Sequence, residues 1–173
     1  MNGLWFFSLT LYRAKEVKQL CLQLQEEAEI DICLFLSLVW LGANGTSLDR
    51  PTMISLYYSI ARWQALVTAR LRGYRLACYE TKDLPSKSIP SQLKRRFYPI
   101  LKMLELNAEK ATFLRINHFL QSVPQANAQP ALELQAMAIE HNLASYFALA
   151  TINIPPRHKS EQISRILLNY LPS

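Results

Sequence analysis

The ten residues from Ile32 to Leu41 are apolar at every position except Ser37. A helix of that composition has no polar face to turn toward water, so other parts of the chain must cover it all round. It is about half the roughly 20 residues that a hydrocarbon core requires. The run therefore predicts the central helix of a bundle and no membrane span. Asp31 stands where a carboxylate can accept from the free amides of the first turn and complement the helix dipole. Gly42 is read as the C-terminal cap, with Asn44 and Gly45 making the turn that follows.

The elements that would surround this helix are legible as further helices. Residues 4–13 are apolar on most sides, and residues 15–28 carry Val17, Leu20, Cys21, Leu24 and Ala28 at helical spacing. Asp49 and Pro51 open a helical pattern that runs to about Tyr79, either continuously or with a break near Arg62. Residues 81–90 read as a loop. Ser91 can cap a helix that continues to about Ser122, with Pro99 kinking it or starting a new one. A second loop spans residues 124–130, and helices over 131–150 and 160–171 follow, separated by Pro155 and Pro156. No strand-length alternation bounded by hairpin turns is present. Half of the residues are hydrophobic and only 18% are charged, which excludes disorder, and the four glycines favour helix. The expected fold is all-α, a single compact bundle of about seven helices. Residues 1–122 would form its core and residues 131–173 a C-terminal helical pair packed on it.

Charge is unevenly spread. Residues 62–102 hold ten basic and two acidic side chains, against a formal net charge of +6 for the whole chain. Lys94, Arg95 and Arg96 are the candidate anion-binding residues of this segment. No recognition-helix motif, RNA-binding signature or interleaving of aromatic and basic residues accompanies them, so nucleic acid is disfavoured as a partner. Cys21, Cys33 and Cys78 are odd in number, far apart and on apolar stripes, which predicts buried reduced thiols and no zinc site. His118, His141 and His158 have no second ligand at metal spacing. No phosphate loop or nucleophile elbow is present.

Carboxylates remain as candidates. Glu26, Glu27, Glu29 and Asp31 form one acidic stretch, and Glu105 with Glu109 share a helical face. Such pairs hold Mg²⁺ in helical nucleotide pyrophosphohydrolases, but a solvated helix end and a cap are the plainer account of the first group. Arg72 and Arg75 lie three apart in otherwise apolar sequence, as do Glu105 and Glu109 at four apart. An unpaired buried charge costs several kcal/mol, so at least one arginine–glutamate pair should bridge the two helices. Asp31, Arg72, Arg75, Glu105 and Glu109 are thus the candidate pocket or ion-pair cluster, with a structural salt bridge as the plainer account.

Several stretches resemble an uncharacterised family of small proteobacterial helical proteins, a domain of unknown function. The matching pieces are Leu4, Trp5 and Phe7, then Cys21, Leu22, Leu24 and Gln25, then Asp31 through Gly42. Trp63 and Gln64 with Leu71, Arg72 and Arg75 follow, then Glu105, Leu106, Ala108 and Glu109. They are scattered from residue 4 to about 115. The junction at Arg62 and Trp63 and the pair Ile32 and Cys33 depart from the family's pattern. The resemblance implies a helical fold and a bacterial cytoplasmic setting, and supplies no activity. Taken together, these readings lead to the expectation of a non-enzymatic, cytoplasmic interaction or regulatory protein. Its partner would be another protein, and no cofactor or metal is assigned. The alternatives are a small-molecule-binding or metal-dependent enzyme with a polar pocket inside the bundle, and an anion or nucleic-acid binder using residues 62–102.

Overall fold

A computed structural model describes residues 2–79, 91–124, 130–150 and 156–171. The fold is all-α, with no strand among the described residues. The helices are α1 (Asn2–Arg13), α2 (Lys15–Ala28), α3 (Ile32–Ala43), α4 (Arg50–Trp63), α5 (Ala69–Tyr79), α6 (Ser91–Leu120), α7 (Leu132–Leu149) and α8 (Pro156–Leu168). A π-helical turn, Gln64–Thr68, joins α4 to α5 without a break, so among the described residues the eight α-helices make seven continuous rods. The loop expected at residues 81–90 and most of that at 124–130 lie outside the described residues. The chain divides into two compact units, Met1–Ser59 with Phe113–Ser173, and Ile60–Thr112.

The first unit is organised by α3. Leu34, Leu38 and Leu41 are fully buried, as are Phe35 and Val39. Burying each such side chain contributes about 1.5–3 kcal/mol relative to leaving it in water. Helix α3 packs on α1 and α7, α7 on α8, α8 on α2, and α2 on α1, which closes a cycle of five helices. Trp5 and Phe113 meet edge to face in this unit, their centroids 5.4 Å apart.

The ends of α3 are set by side-chain and glycine chemistry. Asp31 accepts the Leu34 amide at 3.0 Å, as an N-cap carboxylate does. At the other end the capping glycine is Gly45, not Gly42. Gly45 takes a positive φ of 72° and donates to the Gly42 carbonyl, while Thr46 donates to the Leu41 carbonyl. That pair of bonds is the Schellman closure. Gly42 is interior to the helix, and its role is contact: a Cβ there would lie 2.5 Å from the backbone nitrogen of Ile139. Pro99 likewise lies inside α6, which is assigned as one helix through it.

A buried polar clamp ties the α3–α4 connection down. The Asn142 side chain of α7 accepts the Leu48 amide at 2.8 Å and donates to the carbonyls of Thr46 and Leu38, at 2.9 and 3.3 Å. Close by in sequence, the Tyr146 hydroxyl accepts the Asp31 amide at 3.0 Å. Burial pushes the Tyr146 phenol well above its usual range, so it stays neutral.

Candidate functional site: the arginine–glutamate cluster and the face of α6

The second unit contains the end of α4, the π turn, α5 and α6 as far as Thr112. Residues three or four apart share a helix face, so Arg72 and Arg75 point one way from α5, and Glu105 and Glu109 one way from α6. Packed helices sit about 8–10 Å apart, a gap that long charged side chains can bridge. Here they do so. Arg72 donates to Glu105 at 2.9 Å and to Glu109 at 3.2 Å. Arg75 donates through Nε to the second oxygen of Glu105, and through Nη2 to the first at 3.4 Å. The Trp63 indole donates to the Ala108 carbonyl at 3.3 Å beside them.

Glu105 is the buried member of the cluster, its side chain 8% exposed, while the two arginines retain about a quarter of their surface, 26% and 23%. Burial alone would push the Glu105 carboxyl up. Hydrogen bonds from Arg75 and Arg72, with their charges, outweigh it and hold the group below the usual carboxylate range. The same pairing raises Arg75, to which Tyr98 adds a further hydrogen bond. A carboxylate clamped by two guanidiniums is a poor general base near neutral pH. Two arginines against two glutamates also leave no excess negative charge to attract a divalent cation. Among the described residues, no group of three or more His, Cys, Asp or Glu is placed to hold a metal.

Asp31 belongs to the other unit, where its side chain caps α3. Glu26, Glu27 and Glu29 are exposed at the end of α2. Lys94, Arg95 and Arg96 lie in the first turns of α6, and the Arg95 and Arg96 side chains are exposed. Two of the three thiols, Cys21 and Cys33, are buried and in no disulfide. Cys78 departs from the expectation of burial: it is free but half-buried, because α5 is covered on one face only.

A family model described as a protein of unknown function, DUF2390, matches residues 3–116, more than half of the chain. The chain belongs to the DUF2390 family. No curated protein and no solved structure matches it. The DUF2390 match spans Arg72, Arg75, Glu105 and Glu109 and ends before α7 and α8 begin.

One feature of the surface has no counterpart in the residues that sequence reasoning singled out. Leu93, Phe97, Ile100, Met103, Leu104 and Leu106 on α6 are each 42–55% exposed. Some of these positions read as core from the sequence, because an apolar residue at helical spacing is assigned inward by default. The available signal is that α6 carries two stripes. Tyr98, Leu101, Glu105, Ala108 and Thr112 follow a three-four spacing of their own, and all five are buried or half-buried.

Proposed function

We propose that this protein is a non-enzymatic helical interaction protein whose partner is another protein, bound through the second unit. The observation that carries the reading is the stripe of four large apolar side chains, Leu93, Phe97, Ile100 and Leu104, left in water along one face of α6. Isolated exposed leucines are ordinary, but a contiguous apolar face is characteristic of an interaction surface. The cluster beneath it supports the same view, since its charges satisfy one another and serve to fix α5 against α6. A bacterial cytoplasmic setting fits three cysteines in no disulfide, which an oxidising compartment would tend to pair.

Photo-crosslinking in cells tests this directly. A photoreactive residue replacing Ile100 should form adducts with a discrete protein, and one replacing the exposed Gln19 on α2 should not. The adduct should disappear in the background of Phe97→Asp. Adducts from neither position 97, 100 nor 104 would overturn the reading.

A second reading, a small-ligand pocket, draws on one observation. Thr68 ends the π turn one helical turn before Arg72, and its buried hydroxyl has no hydrogen-bond partner among the described residues. Interruptions of that kind recur at functional sites. A thermal shift on adding phosphate or small carboxylates, lost in Thr68→Val, would favour this reading over the first.

A further inference from the structure

The second unit is held together differently from the first. Among the described residues from Ile60 to Thr112, five are buried: Ile60, Thr68, Glu105, Ala108 and Thr112. Two of these are apolar, two carry hydroxyls and one is a carboxylate. Helix α3 alone buries seven apolar side chains. Leu66, Tyr74 and Leu76, on the π turn and α5, are 38–62% exposed, like the apolar residues of α6 described above. Apolar burial is the main resistance of a segment to local opening, and the closure of α5 rests on little of it.

Polar bonds hold α5 instead. Arg72 donates to Glu105 and Glu109, and Arg75 donates to Glu105. Arg72 and Glu105 each have two partners in the cluster, so its bonds form and break as a set. Breaking them returns to Glu105 and the guanidiniums the hydration lost on burial, which offsets much of the lost attraction. An apolar core has no such compensation. Helix α5 is also weak by itself. Its 11 residues fall short of the roughly 12–15 at which an isolated helix begins to hold in water. A Cβ on Gly73 would meet nothing within 4 Å, so this glycine costs helix propensity with no close contact in return. The π turn before α5 leaves the buried Thr68 hydroxyl without a partner among the described residues.

We infer that α5 detaches from α6 and melts in one cooperative step while the first unit stays folded, with the arginine–glutamate cluster as the latch that closes it. The π turn, where the hydrogen-bond register already changes, is where α4 stops and the melting segment begins. The inference goes beyond the interaction reading and does not depend on it. A partner that requires the closed pair is gated by this equilibrium, because its apparent affinity falls with the closed fraction.

Native-state hydrogen exchange on the full-length chain tests this. Amides of residues 71–78 should be at least about a hundredfold less protected than those of residues 35–41. Ile163, buried on α8, belongs to the first unit. Ile163→Val should speed exchange at residues 35–41 about threefold and leave residues 71–78 unchanged, since the packing it weakens persists while α5 is open. Glu109→Gln, which loosens the latch, should speed residues 71–78 about threefold. Gly73→Ala should slow them by about the same factor. Equal protection of the two segments would overturn the inference. So would Ile163→Val speeding both alike, because α5 would then open only with the whole protein. Exchange at residues 71–78 that ignores both Glu109→Gln and Gly73→Ala would also overturn it, reducing the opening to fraying unconnected with the cluster.

Discussion

Gly42 on α3 meets Ile139 on α7 at backbone distance: a Cβ added to Gly42 would stand 2.5 Å from the Ile139 nitrogen and 2.6 Å from its Cα. Backbone atoms in the middle of a helix cannot step aside as a flexible side chain can. Gly42→Ala should therefore force α3 and α7 apart and destabilise the protein by about 1–3 kcal/mol or more, the usual range for overpacking. Ala is the better helix former, so intrinsic propensity alone predicts the opposite sign. Gly73 is the control, because nothing lies within 4 Å of a Cβ there. Gly73→Ala should raise stability by up to about 1 kcal/mol in the same urea titration.

Asn142 is fully buried and makes three hydrogen bonds through one amide. Leucine has nearly the same size and can make none of them. Asn142→Leu leaves the Leu48 amide and the Thr46 carbonyl of the α3–α4 connection without the Asn142 side chain, while the Leu38 carbonyl lies inside α3 and keeps its helical bond. Each orphaned buried group costs about 1–3 kcal/mol. We expect a loss of about 3 kcal/mol or more, and faster hydrogen exchange at the Leu48 amide. A neutral substitution would show that water replaces the side chain at no cost.

The helices themselves were legible because their signals are local. Residues 32–41 have no polar face, Asp31 precedes them as a cap, and the boundaries of α1, α2 and α7 follow from apolar spacing. The arginine–glutamate pairing was legible for a related reason: charges in apolar sequence must find partners, and Arg72 with Arg75, like Glu105 with Glu109, share one helix face. What escaped depends on tertiary neighbours. Gly42 reads as a stop until α7 is seen against it, and Asn142 reads as one more polar helix residue. The limits of the second unit, at residues 60 and 112, fall inside α4 and α6 and have no marker in the sequence. The exposed stripe of α6 escaped because hydrophobic periodicity reports that a face wants covering, and not whether this chain covers it.

Glu29 ends α2 in the left-handed region, with φ at 50°. The conformation costs a residue with a Cβ about 1–2 kcal/mol, and glycine pays none of it. Glycine gives back part of that gain through the greater freedom of its unfolded chain. Glu29→Gly should still stabilise the protein by about 0.5–1 kcal/mol, and it also removes a negative charge from a helix C-terminus. A fall in melting temperature would mean that the Glu29 side chain contributes more than its backbone costs.

The three thiols should separate by rate. Burial pushes Cys21 up to about 12, so almost none of it is thiolate near neutral pH. Cys33 is also buried, while Cys78 is half-buried on α5. Native protein treated with a thiol reagent should label first at Cys78, with Cys21 and Cys33 reacting only on unfolding. Peptide mapping of the first adduct checks the order, and labelling of Cys21 ahead of Cys78 would contradict it.

Glu105 makes the acid limb of the stability curve predictable in sign. Its carboxyl is lowered in the folded protein relative to the unfolded chain, so the unfolded state takes up the proton more readily. The contribution is therefore fully present above the ordinary glutamate range of about 4.3. It is lost progressively as pH falls from there through the folded value. Glu105→Gln keeps the shape but removes the charge, and its melting temperature should fall most at pH 7 and converge on that of the parent protein in acid. Glu105→Ala goes further, removing the bonds that Arg75 and Arg72 make to this carboxylate, and should cost about 2 kcal/mol at pH 7, the scale of hydrogen bonds to charged groups. Glu109 still holds Arg72 in that variant, so the loss should be smaller than for Arg72→Ala combined with Arg75→Ala. Replacing Arg75 and Glu105 together by well-packed apolar residues should recover much of the loss, as it does for ion pairs whose desolvation offsets their attraction. If the single and double variants lose the same stability at every pH, the cluster does not act as a coupled unit.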